Sequence, residues 1–596
     1  MFGDAHFFSP SGGAPAWQRS FSGPHWTATA QTPQDVPALL ERVERHSRDG
    51  EWVVLALAYE AAPAFEPGLA VHAPGETPVA FAAAYAAPAP GPTPPVAGNF
   101  AATPWRCQLS RERYDLALAD IRENIRRGEV YQVNFTVPLT SRFSGDPAAW
   151  FDVLAREQAA PYSCRLDCGR YTLLSFSPEL FFSRQGETVT VRPMKGTMPR
   201  GRIPEEDAAQ AAALAACPKN QAENRMITDL MRNDLGRIAR PGSVRVPECF
   251  TVTRIATAWQ MTSTVAAAIP RETGLTRLLA ALFPCGSITG APKQSAMRLI
   301  RRLEPFPRGF YTGAIGHIAP GGDCVFSVAI RTVVLDRLTG LGRFGVGGGV
   351  TYDSTARAEY EECRVKAAFL HSPATPFELL ETLRLENGHF AFRDEHLARL
   401  AGSAAYFGFR HRPEAVRAAL ETVRREHPRA RRRVRLLLAR NGAVRTMSFS
   451  LEPRARRLLL LGWAETPVDA GAAGRYHKTT RRGLYDRALA DQPDCDDVLL
   501  RNTAGEVTES CRANLVAEID GRLVTPALFC GLLPGTFRQR LLARGVVAEA
   551  RLRPADLAAA SRLWLINSVR LWMPARLAVS PTDAPLPRAP LSTGIF

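Results

Sequence analysis

Tyr114, Ala117, Leu118, Ile121 and Ile125 recur at three- and four-residue intervals, the spacing that lines one face of a helix. Gly128 follows where a C-terminal cap belongs. From Val130 to Val137 the rhythm becomes alternation, sending Tyr131, Val133 and Phe135 to one side and Gln132, Asn134 and Thr136 to the other. This predicts a strand with an unusually polar face, either an edge open to water or the wall of a polar cavity. Further on, Thr382 to Leu385 reads as a strand and Asn387-Gly388 as a turn, with Phe390 and Phe392 beyond it. Two proline-bearing breaks, Ala86 to Gly98 and His371 to Pro376, divide the chain into expected domains 1–100, 101–371 and 372–596. No internal repeat at solenoid or propeller periods is present.

Composition narrows the class. The 596 residues exceed one ordinary domain, and 46% hydrophobic with 22% charged residues suits large buried cores. The net charge of +16 is spread along the chain. Its densest run, Arg429 to Arg440, passes at once into an apolar strand pattern, so it reads as a strand entrance and no nucleic-acid partner is expected. The charge also suits anionic substrates. The eleven cysteines show no C-x-x-C spacing. With no basic-then-apolar leader and no apolar run near ~18 residues, a soluble cytoplasmic protein with reduced thiols is expected.

Six segments then point one way: Ser175-Phe-Ser-Pro-Glu-Leu180, Arg192-Pro-Met-Lys-Gly-Thr197, the stretch Ala222 to Asp234 that opens Ala-Glu-Asn, Gly286-Ser-Ile-Thr-Gly-Ala-Pro-Lys293, Ala329-Ile-Arg-Thr332 and Gly347-Gly-Gly349. In this order they resemble the chorismate-utilising enzymes, over residues from about 100 to 370. Ala58-Tyr-Glu-Ala-Ala62 resembles the variable N-terminal lobe of the aminodeoxychorismate branch. The resemblance implies a mixed α+β fold, a two-lobed β-sheet core with surrounding helices.

Glu359, Glu362 and Lys366 are spaced i, i+3, i+7, which alone reads as a surface ladder of ion pairs. The resemblance reverses this: Glu362 and Glu223 would hold Mg²⁺, with Glu359 nearby, and the ion would bind the ring carboxylate of chorismate. It implies Arg331 and Tyr311 for the enolpyruvyl carboxylate, with Gly347, Ser287, Thr289 and Lys366 as further substrate contacts. Gln132 stands where the isochorismate and salicylate branches carry a water-activating lysine, and glutamine cannot serve as that base. Ammonia is then the expected nucleophile. Lys195, in Pro-Met-Lys-Gly-Thr, separates the aminodeoxychorismate branch from anthranilate synthases. The branch implies that Lys195 adds to the chorismate ring while Glu179 protonates the leaving hydroxyl. Relatives often carry a histidine where this chain has Gln260, so acid–base duty rests more heavily on Glu179. No G-x-C-x-G nucleophile segment occurs, so a separate glutamine amidotransferase subunit is the expected ammonia source.

From about residue 376 the chain resembles class IV pyridoxal phosphate enzymes, a two-lobed fold shared by aminotransferases and aminodeoxychorismate lyase. Phe377 to Arg384, Asp394 to Leu400, Tyr476-His-Lys-Thr-Thr480, Thr508 to Leu515 and Gly531 to Arg538 carry the likeness. It implies pyridoxal 5'-phosphate bonded through Lys478. Glu509 would face the ring nitrogen. Arg399 and the Gly535-Thr536 helix start would hold the phosphate. A homodimer through this half is expected, as in the class. Lyase and transaminase remain open from these residues alone. Fusion to an aminodeoxychorismate maker favours the lyase, and 4-aminobenzoate as the product, feeding folate or another metabolite.

Overall fold

The computed structural model describes residues 3–9, 17–89, 96, 98–255, 258–370, 377–452 and 458–578. The break at His371 to Pro376, and positions 90–95 and 97 of the earlier one, lie outside the described residues. The chain forms two compact units, one from Met1–Pro199 and Gln210–Ala374, the other from Arg200–Ala209 with Thr375–Leu591.

The first unit is built on two ten-stranded sheets. Strand Gln132–Gly145 pairs with Leu341–Val350, placing Gly349 opposite Asn134 and Gly347 opposite Thr136. That sheet continues through Thr332–Asp336, Tyr171–Ser177, Tyr162–Cys168 and Ala5–Ser9. The second sheet runs from Met194–Pro199 through Ala258–Ala268, Thr188–Arg192, Leu180–Gln185, Cys324–Val328 and Ala314–Ile318 to Trp52–Leu57. Leu166 and Leu173 of one sheet share a core with Val54, Phe182, Val265 and Phe326 of the other. Each such side chain taken from water stabilises by about 1.5–3 kcal/mol. Strands from before residue 100 extend both sheets.

Helix Arg111–Arg126 forms where the periodicity places it, with the Ser110 hydroxyl accepting from the Arg113 amide at 3.3 Å. It buries Tyr114, Ala117, Leu118 and Ile121 against Val133, Phe135 and Val137. The opposite face, Gln132, Asn134 and Thr136, is also covered, at 1%, 8% and 5% exposure, so it is no open edge. The strand begins two residues later than the alternation suggested and runs on to Gly145, because the long partner Leu341–Val350 supplies ladder bonds beyond Val137. Tyr131 lies outside it and is exposed.

In the second unit, helices Arg393–Phe407 and Pro413–Glu426 pack on a four-stranded sheet that includes Leu379–Glu386 and Arg432–Leu438. Asn387 and Gly388 both take positive φ, 49° and 75°, as a two-residue hairpin turn requires. The arginine run does enter a strand, whose Val434, Leu436 and Leu438 are buried. An eight-stranded mixed sheet completes the unit. The mixed α+β architecture is the one the resemblance implies. All eleven cysteines are free thiols, and no described helix is long and apolar enough to cross a membrane.

Candidate active sites

In the first unit, two chain crossings between the sheets place chemistry at one mouth. Glu179 sits where the chain leaves Tyr171–Ser177 for Leu180–Gln185, and Arg331 where it leaves Cys324–Val328 for Thr332–Asp336. Both line a cavity of about 270 Å³ with Lys195, Glu223, Glu359 and Glu362. Ser287, Tyr311, Gly347, Lys366 and Gln260 reach the same cavity.

Its floor is a side-chain-free ribbon. A Cβ on Gly349 would stand 2.2 Å from Gln132 Nε2 and 2.7 Å from Lys195 Nζ, and one on Gly345 2.1 Å from the Tyr311 ring. A side chain at Gly345 would collide with that buried ring, and one at Gly349 would have to displace the ends of two long side chains. Gln132 thus lies beside Lys195, and its buried Oε1 has no hydrogen-bond partner among the described residues.

The Ser287 hydroxyl donates to Glu179 Oε1 at 2.6 Å. Burial pushes the Glu179 carboxyl up to about 7, against the opposing pull of Ser287 and Lys195. As a whole residue Lys195 is only partly covered, yet its amine is deep enough that lost hydration lowers its pKa. Glu179 opposes that shift and Lys366 adds to it. Asn224 holds the segment, donating to the Lys195 carbonyl at 3.1 Å and to that of Met261 at 3.2 Å. Sequence reasoning passed over Asn224 although it adjoins Glu223 in the quoted Ala-Glu-Asn triplet.

Glu223 comes from helix Pro218–Gly236, and Glu359 and Glu362 from helix Ala356–Ala367. Burial raises the carboxyls of Glu223 and Glu359. Burial works the same way on Glu362, but Lys366, together with Lys195 and Lys219, outweighs it and holds that carboxyl below its usual range. Lys366 bridges Glu362 Oε1 at 2.7 Å and the Gly347 carbonyl at 2.8 Å. Three carboxylates lining one polar cavity suit a hard divalent cation. Arg331 has positive φ, 50°, and no ion-pair partner among the described residues, and burial lowers its pKa to about 10. Such a cation suits an anionic ligand. Thr289 stands apart: its hydroxyl donates to the Cys285 carbonyl at 3.2 Å, within its own turn.

One buried pair was not anticipated. Arg308, its side chain 3% exposed, forms a two-pronged ion pair with Glu304 at 2.8 and 2.7 Å. It also donates to the carbonyls of Ile288 and Asn134, at 2.9 and 2.7 Å. Glu304 in turn accepts from the Thr136 amide at 2.8 Å, so the pair ties strand Gln132–Gly145 to the Ser287 turn. Arg308→Ala is expected to cost about 3–5 kcal/mol by leaving Glu304 buried and unpaired, read as a lowered unfolding midpoint. An unchanged midpoint would show that the pair contributes nothing net.

In the second unit Lys478, Arg399, Glu509, Gly535 and Thr536 line one cavity of about 500 Å³. Burial lowers the Lys478 pKa to about 8, aided by Arg399 and opposed by Glu381. Glu509 accepts from the Tyr485 hydroxyl at 2.7 Å and the Leu533 amide at 3.2 Å, and burial raises its carboxyl. Helix Thr536–Ala543 starts at this cavity, with Gly535 at its N-cap. Glu381 was not singled out in the sequence, although it lies in the quoted Phe377 to Arg384 segment. It takes two nitrogens of Arg399 at 2.9 and 2.7 Å and His396 Nδ1 at 2.6 Å. Burial opposes its charge, but Arg399 and His396 pull the carboxyl down to about 2. A fixed arginine, a helix N-terminus and an opposed carboxylate fit a phosphorylated pyridine cofactor bonded to Lys478.

Residues 82–372 match the family of chorismate binding enzymes and residues 378–578 the class IV amino-transferases. One polypeptide thus carries a segment that matches the chorismate binding enzyme family, followed by one that matches the class IV amino-transferases. Aminodeoxychorismate synthase component 1 of Klebsiella aerogenes is 44% identical over 270 residues, which is 45% of this chain and 59% of that protein. The protein of the same name from Escherichia coli (strain K12) is 41% identical over 258 residues, 43% and 56% of the two chains. The chain therefore spans less than three fifths of the length of these curated relatives. The menaquinone-specific isochorismate synthase of Escherichia coli shares the fold of the first unit, with a TM-score of 0.50 at 17% identity over 62% of this chain and 89% of its own.

Proposed function

We propose that the protein makes 4-aminobenzoate from chorismate in two steps, one in each unit. The observation that carries this is Lys195 in one cavity with the protonatable Glu179 and three carboxylates. In the first step the neutral Lys195 amine bonds to ring C2 as the C4 hydroxyl departs, taking its proton from Glu179. Ammonia then bonds to C4 and the lysine leaves, restoring the ring diene as 4-amino-4-deoxychorismate. Arg331 and Tyr311 orient the enolpyruvyl carboxylate. Gln132 has no basic lone pair to activate water, which favours ammonia. Glu223, Glu359 and Glu362 would hold Mg²⁺, which supplies positive charge for the ring carboxylate when bound. A separate glutamine amidotransferase would supply the ammonia, consistent with the component 1 names of the relatives.

In the second step Lys478 removes the C4 proton, pyruvate departs from C3, and the ring becomes aromatic. Lys478, Arg399, Glu509 and the Gly535-Thr536 helix start would hold pyridoxal 5'-phosphate, which supplies an electron sink when bound. Arg433, Arg435 and Arg482 also line this cavity, a lining suited to a substrate with two carboxylates.

The test is product identification by mass after incubation with chorismate, Mg²⁺, ammonium and pyridoxal 5'-phosphate. 4-Aminobenzoate is expected. Anthranilate would overturn the first step. Accumulated 4-amino-4-deoxychorismate, together with transfer of an amino group to an added keto acid, would make the second unit a transaminase.

A further inference from the structure

A cluster remote in function from both cavities lies on the first unit. His25 precedes strand Trp26–Ala30, His46 is in the last turn of helix Val36–Arg48, and Glu51 opens the way into strand Trp52–Leu57. One donor atom from each falls within 4.8 Å of the others. Glu51 turns one carboxylate oxygen to each ring, Oε1 to His25 Nε2 at 2.8 Å and Oε2 to His46 Nδ1 at 2.5 Å.

The frame behind the donors is set. The Glu51 amide donates to the His46 carbonyl at 3.1 Å, and the His25 amide to the Ala84 carbonyl at 3.2 Å. The His46 ring lies on Trp26, with centroids 4.4 Å apart, and Arg42 covers the same indole at 4.8 Å. His25 is the outward ligand, its side chain 44% exposed, which leaves an approach from solvent.

We propose that His25, His46 and Glu51 form a binding site for a divalent transition-metal cation such as Zn²⁺. Two imidazoles with one carboxylate suit Zn²⁺ and its neighbours, whereas Mg²⁺ and Ca²⁺ prefer all-oxygen sets. Each ring need only carry its proton on the other nitrogen. The metal then replaces the two hydrogens that now point at Glu51, and a fourth position remains for water. Bound metal ties three elements of the N-terminal region together, so it stabilises the fold by mass action.

The experiment is equilibrium dialysis of the full chain against Zn²⁺ near pH 7.5, with excess Mg²⁺ to occupy any oxygen site. Cys249 is an exposed soft donor, so the measurement is made in a Cys249→Ser background. One Zn²⁺ per chain is expected, lost in the double variant His25→Ala/His46→Ala and weakened at least tenfold in Glu51→Gln. The double variant should consume chorismate with ammonium at the parent rate, which shows that it is folded. No stoichiometric Zn²⁺ in the parent, or undiminished binding in either variant, overturns the proposal.

Discussion

Lys195→Ala is expected to abolish 4-aminobenzoate formation, with the amination of chorismate falling on the order of 10⁴-fold, the scale seen when an activated nucleophile is removed. Lys195 Nζ lies beside the open face of Gly349. Lost hydration and the charge of Lys366 favour its neutral form, and Glu179 opposes them. Lys195→Arg should not rescue the rate, because a guanidinium stays charged. The pH profile carries a second signature. Glu179 must be protonated to act as the acid, and its pKa is raised to about 7. Amination should therefore decline as pH rises through about 7, and that limb should vanish in Glu179→Gln. Ammonium-dependent product measured by mass decides the matter. A Lys195→Ala protein retaining a tenth of the parent rate would rule out covalent participation.

Lys478→Ala is expected to separate the two steps. Chorismate consumption should persist at the parent rate, 4-amino-4-deoxychorismate should accumulate, and 4-aminobenzoate release should fall on the order of 10⁴-fold. The same variant should lose the visible absorbance of the lysine-bonded cofactor, while Arg399 and the helix start still offer a phosphate site. Persistence of that absorbance would remove Lys478 from its role. If chorismate consumption fell equally, the two units would not act independently.

Much of this arrangement is legible in the chain itself. Helix Arg111–Arg126 and the alternation after Gln132 follow from periodicity, since the helix buries one face and the strand's apolar side chains alternate with polar ones that are covered as well. Lys195, Glu179 and Lys478 are found through contiguous motifs. The supports are harder to find because tertiary packing brings them together. Glu60 accepts from the Arg308 amide across 248 positions, and no local rhythm marks either residue. Glu381 reaches His396 and Arg399 only because a helix packs on its strand. Thr289 lies off the cavity lining for the opposite reason: its short hydroxyl is engaged by the carbonyl of Cys285, four residues back.

At Gly349 an amide and an amine, on Gln132 and Lys195, occupy the volume that a single methyl group would fill. The open face of this glycine is therefore filled by the ends of two long side chains, held against a strand that carries none at that position. Any side chain placed here would have to displace those two ends, so the volume is set jointly by the missing side chain and by Gln132 and Lys195.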